Sequence, residues 1–352
     1  MMRTRAKNFP PVIILLDAMM MILRASLSLN KSSGEGVQIA AAGILWYHTR
    51  VLSYRHAFHA GNVADILKHS VLLFCLDYLG RKDAPYLCID THAGAGSYSL
   101  ARGYALQNRE WERGIGRMPG WAAGETVPVA VLPALLERFM ACARNFRPPA
   151  AAGESESAGG DERYYPGSPA LIRALLRPRD RAVCFELHPA DFAMLTRMLG
   201  TDRRFSLRRE DGFAGLKSLL PPPSRRACVF IDPVYELKED DENLPRSVAV
   251  ALRRFPTGLY IIWYPLLGNR DAALPETLLG LHRGNKCRAE LRTAPRTDRG
   301  MYGSGLVILN PPWTLKAALE SAMPVMADLL GEGRGEWDLG WESPSGAITN
   351  SV

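Results

Sequence analysis

The segment FIDPVYELKED, residues 230–240, joins an apolar run to Asp232, Pro233 and Tyr235. That order suits a reaction at the exocyclic amine of a nucleobase. Such an amine is a poor nucleophile because its lone pair is delocalised into the ring. Two acceptors on its hydrogens, a carboxylate and a backbone carbonyl, favour rehybridisation toward the attacking geometry, and the carboxylate then takes the proton. Asp232 and the Pro233 carbonyl supply the acceptors. Tyr235 supplies a ring on which a flipped base can stack, a contact worth roughly 1–3 kcal/mol. Val234 stands where a second proline would hold Pro233 extended. A β-branched residue at a strand end favours the same extended geometry while restoring an N–H.

A bound donor accounts for further residues. DTHAGAGSY places Gly94 and Gly96 after an apolar run, where glycine lets the backbone approach a ligand, although the third glycine of a G-x-G-x-x-G pattern is missing. Taken singly, this loop is a tight turn as readily as a cofactor loop. Glu186, Asp211 and Asp232 then end three successive apolar runs. Carboxylates so placed accept hydrogen bonds from ribose hydroxyls or an adenine amino group, and the succession fits S-adenosylmethionine. Any one of them alone is equally a turn former or a helix cap.

Two other features compete for attention. NPPW, residues 310–313, fits the Asp/Asn/Ser-Pro-Pro-aromatic pattern of amino methyltransferases more literally than DPVY does. It follows the last apolar run instead of the fourth, so a rigid exit turn is expected there. His56, His59 and His69 cluster in YRHAFHAGNVADILKH, and His92 lies in the glycine loop. No acid or cysteine partners them at ligand spacing, so no metal is expected, and His59 reads as a structural histidine.

These residues need a scaffold. Asn62 caps a helix whose Ile66, Leu67, Val71, Phe74 and Leu79 recur at helical spacing, with Gly80 ending it. Short apolar runs near residues 85, 181, 204, 227 and 258 read as strands buried on both faces, separated by crossover-length segments. The pattern predicts a doubly wound parallel sheet, finished by an antiparallel pair near 288 and 305. The excess chain after the first strand predicts a small helical insertion, residues 103–163, at the sheet's carboxyl edge, with a flexible low-complexity loop in PPAAAGESESAGGDE.

The 352 residues are 47% hydrophobic and 22% charged, a globular composition. Of the formal charge of +7, residues 1–50 contribute +4 and the remaining chain +3, weak support for a polyanionic partner. Arginine pairs recur at 203/204, 208/209, 225/226 and 253/254; on a shared face they would make RNA affinity fall steeply with salt. The six scattered cysteines include no Cys-x-x-Cys pair and point to a reducing compartment. The basic, apolar opening outlines a secretory signal but is interrupted by Asp17 and Arg24, and no run reaches membrane-spanning length. Because a valine codon can initiate translation, Val51 is expected to be the natural start, with residues 1–50 a non-native or disordered extension.

Taken together, LSYRHAFHAGN, ADILKH, DTHAGAG, YYPGSP, ELHP, DGF, IDPVYELK, WYP and GLVILNPPW resemble the bacterial 23S ribosomal RNA adenine N6-methyltransferases of the RlmJ type, from Val51 to about residue 330. The resemblance implies a Rossmann-like class I S-adenosylmethionine-dependent methyltransferase. Its core would span 51–102 and 164–330, with the helical insertion at 103–163 and a C-terminal tail at 331–352. It implies a cytoplasmic monomer that acts on 23S rRNA, free or in early assembly particles, without a membrane. Carried over by position, it implies that His69, His92, Ser168, Glu186, Asp211 and Gly212 line the donor site with Lys68 beside it. Asp232 would contact the donor and accept the proton, Tyr54 would touch the RNA, and Tyr235 would stack on the adenine. Val63 and Val234 depart from the family pattern, and only Val234 touches catalysis. The alternatives are a DNA adenine N6-methyltransferase and a catalytically inactive RNA-binding relative marked by Val234.

Overall fold

A computed structural model describes residues 55–121, 132–149, 163–235, 238–269, 273–298, 300–344 and 349–350. The proposed extension 1–50 and the expected RNA contact Tyr54 lie outside the described residues.

Helix α1 (Val63–Gly80) begins at Asn62, whose side chain accepts from the Asp65 backbone N–H at 3.1 Å. Twelve of its eighteen residues are buried, including Asp65, Lys68, His69 and Ser70. A helix enclosed almost all round must find partners for such polar groups inside the protein. Strands β1 (Leu87–Asp90), β4 (Arg181–Phe185), β5 (Phe205–Arg208), β6 (Ala227–Ile231) and β7 (Leu259–Leu267) are all parallel in their pairings, in the order β5-β4-β1-β6-β7. The chain builds β1, β4 and β5 outward on one side, then returns to lay β6 and β7 on the other. The order therefore reverses between β1 and β6, where open α/β sheets bind ligands.

Beyond β7 the sheet turns antiparallel. Strand β9 (Met301–Leu309) pairs with both β7 and β8 (Lys286–Arg292), the expected antiparallel finish. The expected tail does not hold. Strand β10 (Glu336–Glu342) pairs with β8 along seven residues, and β11 (Thr349–Asn350) pairs with β10. The cause is a period-two pattern in EWDLGWE: Trp337, Leu339 and Trp341 pack against the core beside helix α9 (Leu315–Leu330). The short ribbon of β2 (Ser97–Ser99) and β3 (Tyr164–Pro166), at the two ends of the excess chain, was also not anticipated.

The described parts of 103–163 contain helices α2 (Tyr104–Asn108) and α3 (Ala134–Asn145). Ile115, Met118, Trp121, Leu136, Phe139 and Met140 share one apolar cluster with Leu67, Val71 and Leu72 of α1. These helices extend the layer over the sheet instead of enclosing a core of their own. Among the described residues no helix is long and apolar enough to cross a membrane.

Candidate active site

Asp90 ends β1 and Asp232 follows β6, so the reversal of strand order sets two carboxylates side by side at the carboxyl edge. Between them and α1 runs a buried ionic chain. Lys68 Nζ lies 2.6 Å from Asp232 Oδ2 and 2.9 Å from Asp65 Oδ1, with Lys68 3% exposed and Asp65 fully enclosed. Asp65 Oδ2 also accepts the Gly61 N–H at 2.7 Å and lies 3.1 Å from His56 Nε2. Burial alone would push the Lys68 ammonium toward neutrality, but the charges of Asp232 and Asp65 outweigh it and raise its pKa. Burial of Asp65 is likewise outweighed, chiefly by Lys68, and its carboxyl falls well below the usual range. Lys68 is thus a fixed positive charge that holds one Asp232 oxygen, Oδ2.

The glycine loop after β1 is wrapped around carboxylates. Gly94 and Gly96 have φ of +61° and +76°, the left-handed region open to glycine. Glu186, past the end of β4, accepts the Gly94 N–H at 2.8 Å and the His188 N–H at 2.6 Å. Ser168, at the start of helix α4 (Ser168–Leu175), donates to Asp90 at 2.7 Å. Burial raises both acids to about 7, and at Asp90 it outweighs the Ser168 bond. Asp211 caps helix α6 (Gly212–Leu219) by accepting the Phe213 N–H at 2.8 Å. A Cβ on Gly212 would stand 2.2 Å from the Thr91 carbonyl oxygen, so only glycine lets this helix start against the loop. His92 lies edge-on to Phe213 at 5.0 Å and is held near pKa 4 by burial, against the pull of Asp232 and Asp211.

Tyr235 sits at φ +55°, a left-handed conformation that is costly for a bulky residue and tends to mark functional sites. Its hydroxyl donates to the Trp263 carbonyl, its ring is edge-on to Trp263 at 5.5 Å, and it is 5% exposed. In this arrangement the ring seats against Trp263 of β7, and Lys68 Nζ lies 5.0 Å from the Trp263 ring centroid. Pro233 is buried and Val234 half-buried between the carboxylate and that ring.

Of the residues singled out from the sequence, Lys68, His92, Ser168, Glu186, Asp211, Gly212, Asp232, Pro233 and Tyr235 gather at this carboxyl edge. His69 lies one layer inside, its Nδ1 2.7 Å from the Tyr165 hydroxyl; burial holds it near pKa 4. Sequence reasoning passed over Asp90 and Asp65. Asp90 carries the same strand-end signal as Glu186, inside a segment already quoted, whereas Asp65 sits mid-helix with nothing local to distinguish it from a solvated acid. His56 and His59 both act through carboxylates: His59 Nδ1 lies 2.9 Å from Glu110.

NPPW lies at the other edge of the sheet. β9 runs antiparallel to β7 and Leu309 pairs with Tyr260, so the strand delivers Asn310 to the amino ends of the parallel strands. Asn310 takes φ +54°, donates to the Pro256 and Gly258 carbonyls at 2.8 and 2.7 Å, and accepts at 2.9 Å from His282 Nε2. It is the rigid exit turn expected.

A family model described as Ribosomal RNA large subunit methyltransferase D, RlmJ, matches residues 83–343. The chain belongs to the RlmJ family. It is 38% identical over 297 residues to Ribosomal RNA large subunit methyltransferase J of Escherichia coli K12, covering 84% of this chain and all of the relative. It is 37% identical over 298 residues to the protein of the same name from Haemophilus influenzae, again across 84% of this chain and the whole relative. Among solved structures, a protein of Legionella pneumophila matches with a TM-score of 0.68 at 31% identity, over 81% of this chain and 98% of the other. The fold is a class I methyltransferase fold, with a large sheet, mostly parallel in its site-bearing half, between helical layers.

Proposed function

We propose that this protein transfers a methyl group from S-adenosylmethionine to N6 of an adenine in 23S ribosomal RNA, in the cytoplasm. The observation that carries the reading is the placement of Asp232, Pro233 and Tyr235 at the reversal of strand order, beside a glycine loop flanked by Glu186 and Asp211. The donor set fits an adenosyl group. Carboxylates on successive strand ends can accept from a ribose diol and an adenine amino group, and Asp90 with Ser168 lines the floor beneath. When bound, the sulfonium supplies an electrophilic methyl carbon.

The chain's own part is acceptance and alignment. Asp232 Oδ1 and the Pro233 carbonyl take the two amine hydrogens, which localises the nitrogen lone pair. Asp232 then removes the proton. Lys68 does not act as a base, because its neighbours keep it protonated; it fixes the Asp232 carboxylate in one orientation.

The test is methyl transfer to 23S transcripts and to duplex DNA, with Asp232→Ala as control. Transfer to RNA at an adenine N6, lost in the variant, is expected. Transfer to DNA alone would replace this reading with a DNA methyltransferase. Donor binding without any turnover would favour an inactive RNA-binding relative.

A further inference from the structure

The connections entering the parallel strands are strongly basic. Residues 81–86, 177–181, 202–204, 221–226 and 253–258 lead into β1, β4, β5, β6 and β7. They hold eleven basic and three acidic residues, a surplus of eight, whereas the whole chain carries a formal +7. The exit edge has the opposite character, with Asp90, Glu186, Glu210, Asp211 and Asp232 against Arg208 and Arg209. Arg181 and Arg204 share one level of the sheet register, and Arg226 precedes that level by one residue at the entrance of β6.

Some of these arginines are staples. Arg226 donates to the carbonyls of Leu79 and Ala84, Arg177 to those of Gly80, Lys82 and Ala84, and Arg254 to that of Leu220. Others have no such role. The side chains of Arg203, Arg225 and Arg253 are exposed and make no ion pair or side-chain hydrogen bond among the described residues. The row crosses five strands, about 20 Å at ordinary strand spacing. At its β9 end stands Trp313, 77% exposed, just beyond the Asn310 lock that touches Pro256 and Gly258. Guanidinium groups in a line match phosphate oxygens in a line, and an exposed indole matches an unstacked base.

We propose that this edge is a second RNA-contacting surface, engaging the phosphates and an unpaired base of a segment distant from the target adenine. The proposal rests on the RNA methyltransferase reading and extends it. Arg226 and Asp232 lie at opposite ends of β6, about 20 Å apart along the strand. One short hairpin in the cleft does not reach both edges, whereas a long folded RNA can.

The experiment compares the full 23S transcript with a short hairpin around the adenine methylated in it. Arg203→Glu/Arg225→Glu/Arg253→Glu in one chain, and Trp313→Ala in another, change only exposed side chains. The triple variant is expected to keep kcat and KM on the hairpin, to raise KM on the transcript about tenfold, and to flatten the log-log salt dependence of transcript binding by roughly 2. The Trp313 variant is expected to raise transcript KM alone. Unchanged transcript KM and salt slope in the triple variant would overturn the surface. If the wild-type protein methylates neither RNA, the functional reading fails on its own, and filter binding of the transcript at two salt concentrations still decides whether this edge binds RNA. Loss of binding to anionic vesicles, with RNA binding intact, would assign the edge to a membrane and equally overturn the proposal. Glutamine at the same three positions checks that charge reversal has not altered folding.

Discussion

Lys68 Nζ stands 2.6 Å from Asp232 Oδ2, so a helix from the start of the described chain grips the residue that follows β6, 164 positions later. Lys68 also neutralises the enclosed Asp65. Removing one partner of a buried pair costs about 3–5 kcal/mol, because the other charge is left uncompensated. Lys68→Met is expected to lose that much stability in urea denaturation. Adding Asp65→Asn should restore a large part of it, since the orphaned charge goes too. Strictly additive losses would show that the two residues do not act as a pair.

Val234→Pro is expected to raise turnover and leave donor affinity unchanged. Proline would disfavour helical geometry at Pro233 and hold its carbonyl extended toward the amine. Single-turnover rates with saturating RNA, beside calorimetric titration of the donor, separate the two quantities. Equal rates in both chains would refute the preorganisation account.

Tyr235→Phe keeps the ring and removes the hydroxyl that donates to the Trp263 carbonyl. One hydrogen bond of net worth about 1 kcal/mol corresponds to roughly a fivefold slower turnover. Tyr235→Ala also removes the stacking surface and should raise KM for RNA by an amount corresponding to about 1–3 kcal/mol. A Tyr235→Ala chain with unchanged KM would show that the base does not stack on this ring.

Burial raises Asp90 and Glu186 to about 7, above ordinary carboxylate values near 4. Between about pH 4 and 7 the native state holds protons that the unfolded chain has released, so these groups lower stability as pH rises through that window and then level off. His69 and His92, depressed to about 4, act in the opposite sense, losing stability as pH falls from about 6.5. Asp90→Asn deletes one carboxylate contribution. Its Tm relative to wild type should therefore improve between about pH 5 and pH 8. A pH-independent difference would contradict the burial assignment.

Much of the site was legible because strand-end residues announce themselves. Glu186 and Asp232 close apolar runs of four and five residues, and the direction of those runs follows from crossover length. Order along the chain also separated DPVY from NPPW, since strand direction decides which edge a motif reaches. The rest depended on contacts between distant segments. Nothing near Asp65 announces that Lys68 will lean past it to Asp232. The arginine pairs looked alike in sequence, yet 208/209 sits at the exit of β5 while 203/204, 225/226 and 253/254 sit at strand entrances. How Tyr235 seats against Trp263 was not legible, because its backbone φ and its bond to the Trp263 carbonyl leave no mark in the local pattern.

Strand β10 covers β8 along seven residues. A chain cut at residue 330 would strip that cover and bare a row of N–H and C=O groups flanked by Leu291 and Cys287. Exposed strand flanks recruit other strands. The final segment is therefore expected to shield β8 from self-association, and light scattering should show a chain cut at residue 330 aggregating more readily than the full chain.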